Sequence, residues 1–286
     1  MDYSELKFAN NFIFCKVLEN NLDLCKELLE LILKIKIKKV VLADKEKTLD
    51  VTPDGKSIRL DVYVEDAAGT VYDIEMQVTS KRNLPKRSRY YQSIIDLNSI
   101  SKGAKYSDLR KSYVIFICMF DLFGKGLPIY TFKNKCVEDP KLELGDETVK
   151  VFVNPYGNTK KLSTGLKSFF DYLKEEIAQS TFTKKLDSEV EKVRENQELR
   201  VEYMSMLATL EDTREEGKLL HLIETIYKKM LKGKTNDKIA DEVEETIEVV
   251  ERVKQSILEY KKEYGNEEFD AKKVLEYYQN RKDIAF

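Results

Sequence analysis

The sequence predicts a mixed α/β core followed by a helical extension. Three observations carry that expectation: two alternating apolar–polar runs joined by a short loop, a continuous apolar run rich in strand formers, and a change of texture after about residue 180. The chain has 286 residues, enough for a large core with an appendage. The expected division is a core over 1–180 and a helical region over 181–286.

From Asn11 to about Ile35, Phe14, Val17, Leu18, Leu22, Leu24, Leu28, Leu29 and Leu31 recur at three and four spacing, as in one or two packed helices. Leu49–Val51 is a short strand candidate, followed by a Pro53-Asp54-Gly55-Lys56 turn. The two alternating runs are Ile58–Glu65 and Val71–Val78, joined by Asp66-Ala67-Ala68-Gly69-Thr70. Period two on both sides of a loop containing glycine predicts a β-hairpin. Leu84 to about Ser101 is a helix with Pro85 in its first turn. Tyr113–Phe120 reads as a buried central strand, and Leu127–Phe132 and Val149–Val153 as further strands. Leu162, Leu166, Phe169, Phe170, Leu173 and Ile177 mark another amphipathic helix.

Composition narrows the chemistry. Hydrophobic residues make up 42% and charged residues 35%, with a formal net charge of −2. Histidine occurs once, at His221, and the four cysteines (Cys15, Cys25, Cys118 and Cys136) form no C-x-x-C pair. A Cys/His zinc site is therefore not expected, nor is a Ser-His-Asp or Cys-His nucleophile. Cys15, Cys25 and Cys118 lie among apolar residues and are expected as reduced core thiols. No segment has the ~20 apolar residues of a membrane helix, and the start Met1-Asp2-Tyr3-Ser4-Glu5 has no signal-peptide pattern. A cytoplasmic protein working with carboxylates and a metal is the expectation.

Alternation places Asp61, Tyr63 and Glu65 on one face of the first strand, and Asp73, Glu75 and Gln77 on one face of the second. A symmetric five-residue loop sets Asp61 directly opposite Glu75, where Cβ atoms are ~5 Å apart. Two carboxylates that close repel unless a proton or cation lies between them, and Mg²⁺ suits such oxygen ligands. Alternation alone equally allows an ordinary acidic, water-facing side of an amphipathic hairpin.

At these residues the sequence resembles the active-site hairpin of the PD-(D/E)xK nuclease superfamily, with Asp61 on one strand and Glu75-Met76-Gln77 on the next. A longer series is similar to the Rpn family of recombination-promoting nucleases and transposases. It comprises Arg59–Val64, Asp73–Gln77, Leu84–Gln92, Gly103-Ala104-Lys105-Tyr106 and Tyr130-Thr131-Phe132, preceded by Asn11–Phe14 and Leu24–Leu29. The resemblance spans about 8–157 and is loose beyond. It implies a restriction-endonuclease-like core, a mixed sheet flanked by helices, that cleaves DNA with Mg²⁺ or Mn²⁺. By position it implies Asp61, Glu75 and the Met76 carbonyl as metal ligands and Asp61, Glu75 and Gln77 as catalytic residues. Gln77 stands where the superfamily usually has lysine; it is neutral but can orient a water. The alternative is a nuclease fold that no longer cuts and binds DNA or a protein partner.

On the following helix, Arg89, Gln92 and Asp96 are spaced three and four apart. Arg89 is a candidate for phosphate charge and Gln92 for holding water or backbone. Of Tyr90 and Tyr91, one is expected in the core and the other at its rim. Lys81–Lys111 carries nine basic residues against Asp96 and Asp108, a net +7. Within it Lys81, Arg82, Lys86, Arg87 and Arg89 are the DNA-backbone candidates, since neutralised phosphates supply most sequence-independent affinity; a solvated helix face with loop lysines accounts for the same charges. In the tail, Thr235–Val253 has a helix-turn-helix pattern, but Asn236–Glu251 holds one lysine against seven acids, a surface DNA would repel. Helical packing, with a homo-oligomer through the C-terminal helices, is the expected role there.

Overall fold

The computed structural model describes residues 2–42, 60–80, 82–101, 103–175, 177–265 and 269–282. The expected strand at Leu49–Val51 and the turn at 53–56 lie outside these residues, as do Arg59, Lys81 and Lys102. The chain forms two compact units, residues 1–200 and 201–286.

In the first unit, α1 (Asn11–Asn20) and α2 (Leu22–Leu33) are followed by β1 (Val40–Leu42), β2 (Val62–Asp66) and β3 (Val71–Gln77). Next come α3 (Leu84–Ser99), β4 (Ser112–Cys118), β5 (Ile129–Phe132), β6 (Thr148–Val153), α4 (Thr164–Glu175) and α5 (Thr181–Glu195). The strands make one mixed sheet in the order β1-β2-β3-β4-β6-β5. β2 and β3 are antiparallel, β4 is parallel to both β3 and β6, and β5 closes the far edge antiparallel to β6. This is the mixed sheet flanked by helices that the sequence predicts.

The hairpin takes the expected register, with Val62 opposite Ile74 and Tyr63 opposite Asp73. Asp66 fixes its turn: Oδ1 accepts from the amides of Ala68 and Thr70 at 2.8 and 3.0 Å, and Gly69 adopts φ 81°, a left-handed backbone that glycine takes without a Cβ clash.

β4 is buried along its whole length because it has a strand on each side and a helical layer on each face. On one face, α3 packs Leu84, Tyr91, Ile94 and Ile95 over Val71, Val114, Phe116 and Phe152. The even-numbered residues Tyr72, Ile74 and Met76 of β3 point the other way and are equally buried. There α1 reaches β2 and β3, and α1, α2, α4 and α5 pack on one another.

α5 corrects the expected boundary at 181. Its face of Phe182, Leu186, Val190 and Val193 is buried against the first unit, and Val193 O accepts from the Tyr3 hydroxyl at 2.7 Å. The core therefore runs on to residue 200. Cys15 is a second correction, being partly exposed, whereas Cys25 and Cys118 are buried and burial pushes both thiols up to about 12. Among the described residues no helix is long and apolar enough to cross a membrane.

The second unit contains most of α6 (Gln197–Leu231), then α7 (Asn236–Val243), α8 (Ile247–Tyr264) and α9 (Ala271–Lys282). Ile223, Ile226, Ile239, Val250, Val253, Ile257 and Val274 form its core. The seven acids of 236–251 are all exposed, and Glu242 meets Lys229 and Lys234.

Candidate active site

The site forms at the end of β3 nearest α3. Glu75 and Asp73 project from the odd-numbered face of β3, beneath α3, and are only 1% and 0% exposed. This removes the water-facing alternative for Asp73 and Glu75: β3 is a central strand, covered on both sides. Asp61 stands one residue before β2 and is partly exposed. Its backbone N–H donates to Glu75 Oε1 at 3.0 Å, its Oδ2 accepts from the Met76 amide at 3.1 Å, and its Oδ1 accepts from Asn11 Nδ2 at 3.0 Å.

The ladder also orients Met76. Gln77 O accepts from the Met119 amide on the β4 side, so the neighbouring Met76 presents its peptide groups to the opposite side, toward Asp61. The Asp61 and Glu75 carboxylates are thereby tied to neighbouring backbone amides, and carboxylate and carbonyl oxygens are hard donors of the kind Mg²⁺ and Mn²⁺ take. Among the described residues no cluster of three or more His, Cys, Asp or Glu side chains converges to hold a metal, so any ion here depends on the carbonyl and on water.

Electrostatics fit a cation. Burial, then the nearby Asp61 charge, pushes Glu75 up to about 8, against the pull of Arg87 and the Asp61 amide. Asp73 is raised well above the usual carboxylate range, by burial first and by Glu75 and Asp61 next. Neither Asp73 oxygen has a hydrogen-bond donor when both acids are ionised; a proton on Asp73 can be given to Glu75, which gives one of those oxygens a partner. Among the described residues, the guanidinium that acts on both Glu75 and Asp73 is a single one.

That guanidinium belongs to Arg87. Nη1 donates to Gln77 Oε1 at 3.0 Å, and Nη2 donates to Glu75 Oε2 at 3.3 Å and to the Tyr91 hydroxyl at 2.5 Å. An Arg donates only, so the Gln77 atom it meets is the oxygen, which leaves Nε2 of Gln77 as a donor.

The other candidates separate. Arg89, Arg82 and Lys86 are exposed, and Lys81 is outside the described residues. Gln92 is buried and donates to Ser112 Oγ at 2.6 Å and Asp96 Oδ1 at 3.1 Å. It therefore anchors α3 to the start of β4 and does not share a surface with Arg89. Arg110, in the same basic stretch, pairs with Glu65 at 2.6 Å. Tyr91 is buried and Tyr90 lies at the rim. Sequence reasoning missed Asp73, Asn11 and the place of Arg87. Each belongs to a quoted motif run, but periodicity singles out none of them.

No curated protein and no solved structure matches the chain. Residues 8–135 match the family model described as PD-(D/E)XK nuclease family transposase, a segment that includes Asn11, Asp61, Glu75, Gln77 and Arg87. Over that segment, which is just under half of the chain, the sequence is similar to the PD-(D/E)XK nuclease family transposases.

Proposed function

We propose that the protein is a metal-dependent DNA endonuclease that hydrolyses phosphodiester bonds, with Asp61, Glu75 and the Met76 carbonyl holding Mg²⁺ or Mn²⁺. The observation that carries this is the mutual tie of Asp61 and Glu75 through each other's backbone amides, with a second buried acid, Asp73, two residues away. When bound, the ion supplies positive charge and polarises water and phosphate. Asn11 holds the Asp61 carboxylate in orientation. Gln77, its oxygen occupied by Arg87, presents an N–H donor to water or phosphate oxygen. The exposed Arg82, Lys86 and Arg89, with Lys81, grip the DNA backbone without reading sequence. Self-association is assigned to the C-terminal helices.

A second reading, a DNA-binding module that does not cut, is favoured by one feature: Gln77 supplies no charge where the superfamily usually has lysine. Cleavage of supercoiled plasmid with Mg²⁺, Mn²⁺ or EDTA, beside Glu75→Ala, separates the two. Metal-dependent nicking that vanishes in the variant supports the nuclease. Retarded DNA without cleavage under either metal supports the binding module.

A further inference from the structure

The basic group that meets this pocket comes from α3, not from β3. Arg87 spans Glu75 and Gln77, and its guanidinium carbon lies 5.1 Å from the Tyr91 ring centre and 5.6 Å from that of Phe116. Both rings are buried, so the guanidinium is held on a rigid apolar platform. Arginine has five N–H donors. The contacts to Gln77, Glu75 and Tyr91 use three of them. The side chain keeps 25% exposure, so the guanidinium arm is not sealed from solvent.

We propose that Arg87 is a catalytic residue of this site: it presents its remaining N–H donors to the scissile phosphate and supplies the positive charge that Gln77 lacks. The proposal rests on the endonuclease reading above. In hydrolysis a water oxygen bonds to phosphorus, one P–O ester bond breaks, and the leaving oxygen takes up a proton. Negative charge grows on the non-bridging oxygens, and a planar fork of donors fixed beside them stabilises it. Gln77 acts with Arg87 as a unit, its oxygen holding Nη1 and aiming the rest of the fork. In the resting site Arg87 also neutralises part of the Glu75 charge, so it competes with any cation Glu75 binds. The two roles have opposite signatures when the charge is removed.

The experiment compares full-length wild type, Arg87→Met, Arg87→Lys and the double variant Gln77→Lys/Arg87→Met. Duplex cleavage with Mn²⁺ gives kcat and KM, and calorimetry without DNA gives Mn²⁺ affinity. Arg87→Met is expected to bind Mn²⁺ several-fold more tightly while kcat falls by about 10²- to 10³-fold. The double variant, with a lysine returned from the strand, is expected to recover part of that kcat. Tighter Mn²⁺ binding with kcat at or above wild type would reduce Arg87 to a counter-ion and overturn the proposal. If Arg87→Met does not fold, Arg87→Lys decides: it keeps the charge without the fork, so kcat falls, and an undiminished kcat overturns the proposal. A wild type that does not cleave overturns the endonuclease reading itself; a wild type that cleaves, with Glu75→Gln dead and Arg87→Met and Arg87→Lys unimpaired, overturns this inference alone.

Discussion

Asp61 and Glu75 are each held by the other's strand: the Asp61 amide donates to Glu75 Oε1, and Asp61 Oδ2 accepts from the amide that follows Glu75. Neither carboxylate can shift without breaking a bond that positions its neighbour. Asp61→Asn is expected to keep an oxygen for the Met76 amide, to require Asn11 to turn its own amide oxygen toward the new NH2, and to lose a ligand charge. Metal-dependent cleavage should fall by at least about 10²-fold with an unchanged circular dichroism spectrum. Cleavage at the wild-type level would remove Asp61 from the site.

Stability should depend on pH in a direction set by Glu75. Its ordinary value is 4.5, and the fold raises it to about 8. Between those values the folded state keeps a proton that the unfolded chain has released, so the stability contribution is full below 4.5 and is lost as pH rises toward 8. The raised Asp73 acts with the same sign. Asp73→Asn carries a permanent donor for Glu75 and no charge, so its melting temperature should exceed wild type by several degrees at pH 8.5 and by little at pH 4.5. A variant equally stabilised or destabilised at both pH values would show that Asp73 does not titrate against Glu75.

The hairpin was legible because two local signals agree on it: period-two alternation and a turn that Asp66 and Gly69 can close in only one register. The burial of Asp73 and Glu75 was not legible. An acid at every second position looks the same on a wet edge strand as on a central one, and only β4 and α3, brought in from later in the chain, decide between them. Arg89 stands out over Arg87 in the sequence because its three and four spacing to Gln92 and Asp96 reads as a shared face. Gln92 instead turns inward to Ser112, leaving Arg89 in solvent, while Arg87 lies at the flank where the helix meets the sheet. β1, three residues long, is too short for any period to show. α5 is mostly polar, and its four buried apolar residues are too sparse a signal to mark it as part of the core.

Exposed cations near the site should act through salt-dependent binding. Arg82, Lys86 and Arg89 are exposed on or just before α3. Each phosphate contact contributes about −0.9 to the slope of log K against log salt. Replacing all three with Ala should weaken binding to unrelated duplexes alike and make that slope shallower by about 2–3. Fluorescence anisotropy across a salt series measures it; an unchanged slope would place the DNA elsewhere.

Gly157 tests how the loop beyond β4 is braced. β4 leads from the Gln77–Met119 contact into a turn where Asp121 accepts from the Tyr130 hydroxyl and the Gly126 amide. The 154–158 turn holds this loop from below: the Asn154 amide and Nδ2 donate to Pro128 O and Leu127 O, and the Asn158 amide donates to Gly126 O. A Cβ on Gly157 would lie 2.5 Å from Pro128 N and 2.6 Å from the Leu127 carbonyl carbon and oxygen. These are backbone atoms with no flexible end to yield, so the two segments must move apart. Gly157→Ala is expected to cost about 1–3 kcal/mol, read as a lower midpoint in urea unfolding with an unchanged m-value. Because the displaced loop begins beside Gln77, cleavage should fall in the same variant at temperatures where it remains folded. A midpoint equal to wild type would mean that the 154–158 turn does not pack this closely against the loop.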